Sequence, residues 1–112
     1  MRASMMRRRR VLAGGVAVLG LRVAPARAQA AAVAVNFHAF APAMLRVAVG
    51  TTVTWTNEDD TPHNIVSTAD PRAFRSAALD TGESFAFRFA APGTYGYYCS
   101  LHPTMQGSIV VG

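Results

Sequence analysis

The sequence contains a single cysteine, Cys99, in 112 residues, so no disulfide can form within the chain. It has no long hydrophobic run either. The apolar stretch near the N-terminus, residues 11–21, covers eleven positions, whereas a membrane-crossing helix needs about 20. After residue 32 there is no internal repeat, no low-complexity tract and no helical period of useful length; residues 71–78 have room for one helical turn at most. Methionine is scarce over the same region, with only Met44 and Met105, which argues against a methionine-rich metal handler. A chain of this length has room for one domain.

Acidic residues are absent from the first 28 positions, which carry seven of the eleven basic residues. From residue 29 onward four arginines (Arg46, Arg72, Arg75, Arg88) face six acids (Glu58, Asp59, Asp60, Asp70, Asp80, Glu83), a net charge of −2 against +5 for the whole chain. The basic character therefore belongs to the N-terminal segment and gives no ground for a nucleic-acid partner. That segment has the layout of a cleavable export signal: basic residues 1–10, apolar residues 11–21, then small residues 24–30. The expected organisation is an export signal over 1–28 and one domain over 29–112, outside the cytoplasm in the periplasm, with cleavage after Ala28 or Ala30. Arg8-Arg9-Arg10-Val11-Leu12 resembles a twin-arginine signal, and a Sec signal fits as well.

Period-two alternation dominates the rest of the chain, the mark of strands with one buried face. Leu45, Val47 and Val49 alternate with Met44, Arg46 and Ala48; Val53 and Trp55 with threonines; Phe85, Phe87 and Phe89 with Ser84, Ala86 and Arg88. Tyr95, Tyr97 and Cys99 share one parity, and Ile109 and Val111 close the chain. Turn residues fall between these runs, at Pro42, Gly50, residues 57–62, Asp70-Pro71, Thr81-Gly82 and Pro92-Gly93. About seven short strands so punctuated predict an all-β antiparallel sandwich. Phe74 reads as a satellite core residue under a long loop. His38 reads first as an exposed strand-end histidine, with the border of a partner-docking surface as the alternative, and Glu58-Asp59-Asp60 as solvated loop charges, with a docking patch as the alternative.

Export places Cys99 in an oxidising compartment, where structural cysteines come in pairs. An unpaired one is a reactive thiol, an intermolecular bridge or a metal ligand. Its neighbourhood favours the last. In Cys99-Ser100-Leu101-His102-Pro103-Thr104-Met105, thiol, imidazole and thioether recur every three residues at the end of a strand. A second imidazole stands upstream at His63, between Pro62 and Asn64. Two His, one Cys and a weak axial Met form the ligand set of electron-transfer copper sites. Thiolate suits Cu(I), imidazole suits both oxidation states, and a weak thioether leaves the geometry nearly unchanged between them. The expected ligands of one copper ion are His63, Cys99, His102 and Met105. Zinc could occupy the same donors, but the divalent stability order favours Cu(II).

These residues bring the chain to a known family. Over residues 33–112 it resembles the plastocyanin/pseudoazurin/amicyanin group of cupredoxins. Phe40-Ala41-Pro42 followed by residues 45–55 looks like that family's opening strands, residues 57–64 like its first-ligand loop, and residues 92–99 like the strand that delivers the cysteine, with Tyr95 as its corner tyrosine. Two residues separate His102 from Met105, as in amicyanin-type loops; plastocyanin-type loops have four. The resemblance implies a Greek-key cupredoxin sandwich and a backbone N–H of Asn64 aimed at the thiolate, with the Asn64 side chain tying the two ligand loops. An N-terminus shorter than that of amicyanins, without their extra strand, leaves the amicyanin partner unassigned.

Three functions compete. A mobile one-electron carrier, a monomer meeting redox protein partners, needs one buried copper and no acid/base pair. A copper-binding carrier or buffer protein without an electron-transfer role is the alternative. A Cys–His enzyme would need an orienting carboxylate that no neighbour in sequence supplies, and would leave Met105 without a role.

Overall fold

Alternation of branched or aromatic residues with small polar ones produces eight strands in the computed structural model, which describes residues 29–112. The export signal expected over 1–28 lies outside the described residues. The strands are β1 (Ala30–Asn36), β2 (Ala39–Ala41), β3 (Met44–Val47), β4 (Thr52–Asn57), β5 (Val66–Ser67), β6 (Ser84–Arg88), β7 (Gly93–Tyr98) and β8 (Gln106–Val111). They form two four-stranded sheets, ordered β2-β1-β4-β6 and β3-β8-β7-β5. Core residues from both sheets meet in one cluster, which makes the structure a sandwich.

The sheets are mixed, and this corrects the purely antiparallel expectation. β1 runs parallel to β4 and β3 parallel to β8, while the other pairs are antiparallel. The cause lies at Pro42-Ala43, where the chain passes from β2 in one sheet to β3 in the other without a hairpin. Only two reversals then separate β1 from β4, so β4 returns alongside β1 in the same direction. The family-like opening pair of strands is also preceded by β1, which occupies an interior position of its sheet.

Trp55 fills the centre and is fully buried. Phe74, Phe85 and Phe89 pack around it at ring-centroid distances of 5.8, 5.7 and 6.4 Å, and Tyr97 meets it edge-on at 5.3 Å. Phe74 is therefore part of the one core rather than a satellite of it. Its segment, residues 71–78, holds no helical turn. Instead Arg75 bridges to Val66, and the Ser67 N–H donates to the Phe74 carbonyl. Tyr95 takes the corner role that the resemblance implied: its hydroxyl donates to the Ala91 carbonyl at 2.7 Å while its ring meets Phe89 edge-on.

One close approach sets a packing limit. A Cβ on Gly107 would sit 2.5 Å from the Cζ and hydroxyl of the buried Tyr97. Gly107→Ala must displace a ring that has no free space, so it is expected to cost about 1–3 kcal/mol. For a domain of this size that lowers the melting temperature by roughly 4–8 °C per kcal/mol. Thermal unfolding of the copper-free variant checks this, and an unchanged midpoint would show that the ring can yield.

Candidate metal centre

All four expected ligands come from the loops that leave the strands at one end of the sandwich. His63 follows β4 in a loop clamped by backbone: its N–H donates to the Leu79 carbonyl and the Leu79 N–H donates back. Cys99 follows β7 directly and begins a tight loop. The Cys99 N–H donates to the Met105 carbonyl, the His102 N–H to the Cys99 carbonyl, and the Met105 N–H to the His102 carbonyl. Three-residue spacing thus becomes a tight loop closed on itself by its own backbone bonds. His63 and Cys99 are 0% exposed and Met105 4%, while His102 is half-buried at the surface.

Distances within the group suit a shared ion. The His63 Nδ1 lies 3.7 Å from the Cys99 Sγ, and the His63 and His102 ring centroids are 4.8 Å apart. Metal bonds of about 2.3 Å to sulfur and 2.0 Å to nitrogen, meeting at a trigonal angle, leave the two donors about 3.7 Å apart. The residues therefore fit a thiolate–imidazole metal centre. The two ligand loops are tied as expected: the Asn64 N–H points at Cys99 Sγ from 3.4 Å, its Nδ2 donates to Ser100 Oγ at 2.7 Å, and the Ser100 N–H donates to Asn64 Oδ1 at 2.8 Å.

Three further residues escaped sequence reasoning. Asp59, expected as a solvated charge, is buried, although its neighbours Glu58 and Asp60 are exposed. Its Oδ2 accepts from His63 Nε2 at 2.9 Å and from the His38 backbone N–H at 3.1 Å. The His63 bond, followed by the His38 N–H, holds the Asp59 carboxyl well below the usual carboxylate range, against the opposing effect of burial. An ionised Asp59 only accepts, so His63 Nε2 donates to it and Nδ1 is the ring nitrogen left facing Cys99. The four-residue step from Asp59 to His63 was the available signal. Asn57, fully buried, holds this loop from beneath. Its Nδ2 donates to the carbonyls of Thr61 and Leu79, each at 2.9 Å, and its Oδ1 accepts from the Asp59 N–H at 2.9 Å.

His38 is the third. It is exposed, as expected, but it is not a bystander. Phe37 and His38, with φ of 51° and 53°, form the two-residue turn between β1 and β2. This places the His38 ring edge-on to His102 at 4.7 Å and to His63 at 5.1 Å.

The carboxylate that sequence reasoning did not find for an enzyme is thus present, in the row Asp59–His63–Cys99. The open cleft lined by Ser67, Thr68, Asp70, Arg72 and Tyr98 includes none of these three.

Known proteins resemble the chain in both sequence and fold. The sequence model of the family described as copper binding proteins, plastocyanin/azurin family, matches residues 28–112. Amicyanin-alpha of Methylorubrum extorquens is 37% identical over 70 residues, covering 60% of this chain and 59% of its own length. The chain thus spans less than two thirds of that relative. The chloroplastic plastocyanin of Tetradesmus obliquus is 37% identical over 124 aligned residues, covering 99% of this chain and 83% of its own. Among solved structures, a purple cupredoxin from Nitrosopumilus maritimus superposes with a TM-score of 0.69 at 37% identity, over 73% of this chain and 99% of that one. A reduced amicyanin variant gives 0.69 at 31% identity, over 72% and 80%.

Proposed function

Because the chain belongs to the plastocyanin/azurin family of copper-binding proteins, we propose that it is an exported, monomeric one-electron carrier whose single copper ion is held by His63, Cys99, His102 and Met105. The observation that carries this reading is a buried thiol 3.7 Å from the His63 Nδ1, with the His102 ring 4.8 Å from that of His63 and the buried Met105 three residues further along the same loop. Copper bound there supplies a one-electron Cu(II)/Cu(I) couple. The protein's own part is to hold the donors still. Asp59 fixes the His63 ring and its tautomer, the Asn64 N–H stabilises negative charge on sulfur, and the Asn64–Ser100 pair keeps the two loops in register. A basic, then apolar, then small-residue N-terminus over 1–28 supports export to the periplasm and a mature domain over 29–112. Among the described residues no helix is long and apolar enough to cross a membrane.

An enzyme built on Asp59, His63 and Cys99 is the weaker reading. Nucleophile and base are both 0% exposed, which leaves a substrate no room, and Met105 would have no role.

His102 lies between Leu101, 49% exposed, and the exposed Pro103. These apolar neighbours form the face that redox partners would touch. Redox encounters use small interfaces, and charge steering is screened beyond about 8 Å at physiological salt. A charge placed on the contact itself should therefore matter more than the net charge. Leu101→Glu is expected to slow electron exchange severalfold while leaving the visible spectrum unchanged. The reading itself is tested by adding Cu(II) to the copper-free protein. An intense visible absorption supports it, and a colourless complex would overturn it.

A further inference from the structure

Among the described residues, His38 is the imidazole that the proposed ligand set does not use, and it stands at this end of the sandwich. It and Phe37 stand at positive φ, which is uncommon outside Gly, and His, Asn and Asp adopt it more readily than other residues do. The turn is held in place from the site itself, by the Asp59 carboxylate accepting the His38 N–H. The result is a third imidazole at the rim: the metal-binding nitrogens of His38, His63 and His102 all lie within 4.8 Å of one another.

Burial grades these donors from outside to inside. The His38 side chain is 50% exposed, His102 is half-buried, and His63, Cys99 and Met105 are closed off. A hydrated ion cannot reach the inner three before it has shed water, and it sheds water only as protein donors replace it. The two accessible donors are the rings 4.7 Å apart.

We propose that His38 is a metal-capture ligand, which together with His102 takes up an incoming aquo-Cu(II) ion at the exposed rim and passes it to His63, Cys99 and Met105. The step is ligand exchange with loss of one proton: two imidazole nitrogens replace two waters, and the inner donors then replace His38 and the remaining waters as the Cys99 thiol gives its proton to solvent and binds as thiolate. No electron is transferred. The inference rests on the ligand assignment made above, and adds a residue that acts during loading but is not bound afterwards.

The test is the rate at which colour develops when Cu(II) is mixed with copper-free protein. His38→Asn is the informative variant, because asparagine tolerates the left-handed turn and keeps the backbone N–H for Asp59. Loading should slow by about tenfold, the scale on which ligand-supporting residues affect metal sites, with the final spectrum and loaded melting temperature unchanged. An unchanged rate would overturn the inference and leave the ligand assignment standing. An altered final spectrum would also overturn it, by making His38 a resident ligand. If the unaltered protein never colours, the ligand assignment fails and the inference with it. A second measurement avoids dependence on one variant. Cys99→Ala protein should still bind Cu(II) through the imidazoles, and adding His38→Asn should weaken that binding about tenfold; equal affinities would count against capture.

Discussion

Replacing Cys99 with serine is expected to abolish the intense visible absorption of the copper-loaded protein altogether. The absorption of such a centre requires a soft, anionic sulfur donor bound to Cu(II), and this chain has no second cysteine to supply one. Neither carboxylates nor imidazoles can substitute. Asp59, the nearest acid, is already engaged by His63 Nε2 and the His38 N–H. The variant would keep two or three imidazoles at the rim and so could still take up Cu(II), but as a weakly coloured complex. The loss should therefore be in kind and not degree, which separates this site from a surface histidine cluster that binds copper by chance. Met105→Gln makes the contrast. The axial donor tunes the site without forming it, so this variant should stay coloured and shift to a lower reduction potential. Visible spectra and potentiometry of the two variants check both statements. A serine variant that keeps the intense band, or a glutamine variant that raises the potential, would show the ligand roles to be misassigned.

Both variants fall in a segment that was legible from sequence, and the reason is local. Cys99, His102 and Met105 occupy seven consecutive positions, so their convergence needs only a tight loop. β4 was equally legible, since Val53 and Trp55 are buried and Thr52, Thr54 and Thr56 are not. The hidden features depend on contacts distant in sequence or on weak contrast. β1 begins Ala-Ala-Ala, and alanine distinguishes poorly between a buried and an exposed face. The parallel pairing of β1 with β4 leaves no periodic trace in either strand. Phe74 and Leu79 reach the core from a stretch with no alternation, where bridges to Val66 and His63 decide the path. The exposure of His38 was legible, but its place beside His63 and His102 was not, because the turn that carries it, Phe37-His38, has none of the Gly or Asn residues that signal such a turn. Its value comes from Asp59, 21 residues away. The expected ligands thus form a motif in the sequence, whereas the residues that orient and border them became visible only with the fold.

Asn57 is the clearest of those supports, and Asn57→Ala is expected to produce the largest loss of stability without touching a ligand. One side chain satisfies three backbone groups inside the first-ligand loop: the carbonyls of Thr61 and Leu79 and the N–H of Asp59. Water cannot replace it at a position that is 0% exposed. Each buried group left unpaired costs about 1–3 kcal/mol, so the expected penalty is about 3 kcal/mol or more. At roughly 4–8 °C per kcal/mol, the copper-free variant should melt well below the unaltered protein, or be unfolded at room temperature. Copper should reverse much of this. An ion that binds only the folded state stabilises it by about 4 kcal/mol when present at a thousand times its dissociation constant, which matches the loss in size. The loaded variant should then recover its melting temperature and its colour, because the donors themselves are intact. Glu58→Gln, one residue along and exposed, provides the control, with an expected change within about 0.5 kcal/mol. Thermal unfolding of both variants with and without saturating copper decides the matter. An Asn57→Ala protein that melts like its parent without copper would mean that the loop is held from elsewhere. A variant that loses stability but gains none back from copper would mean that Asn57 shapes the donor geometry itself, and not only the fold beneath it.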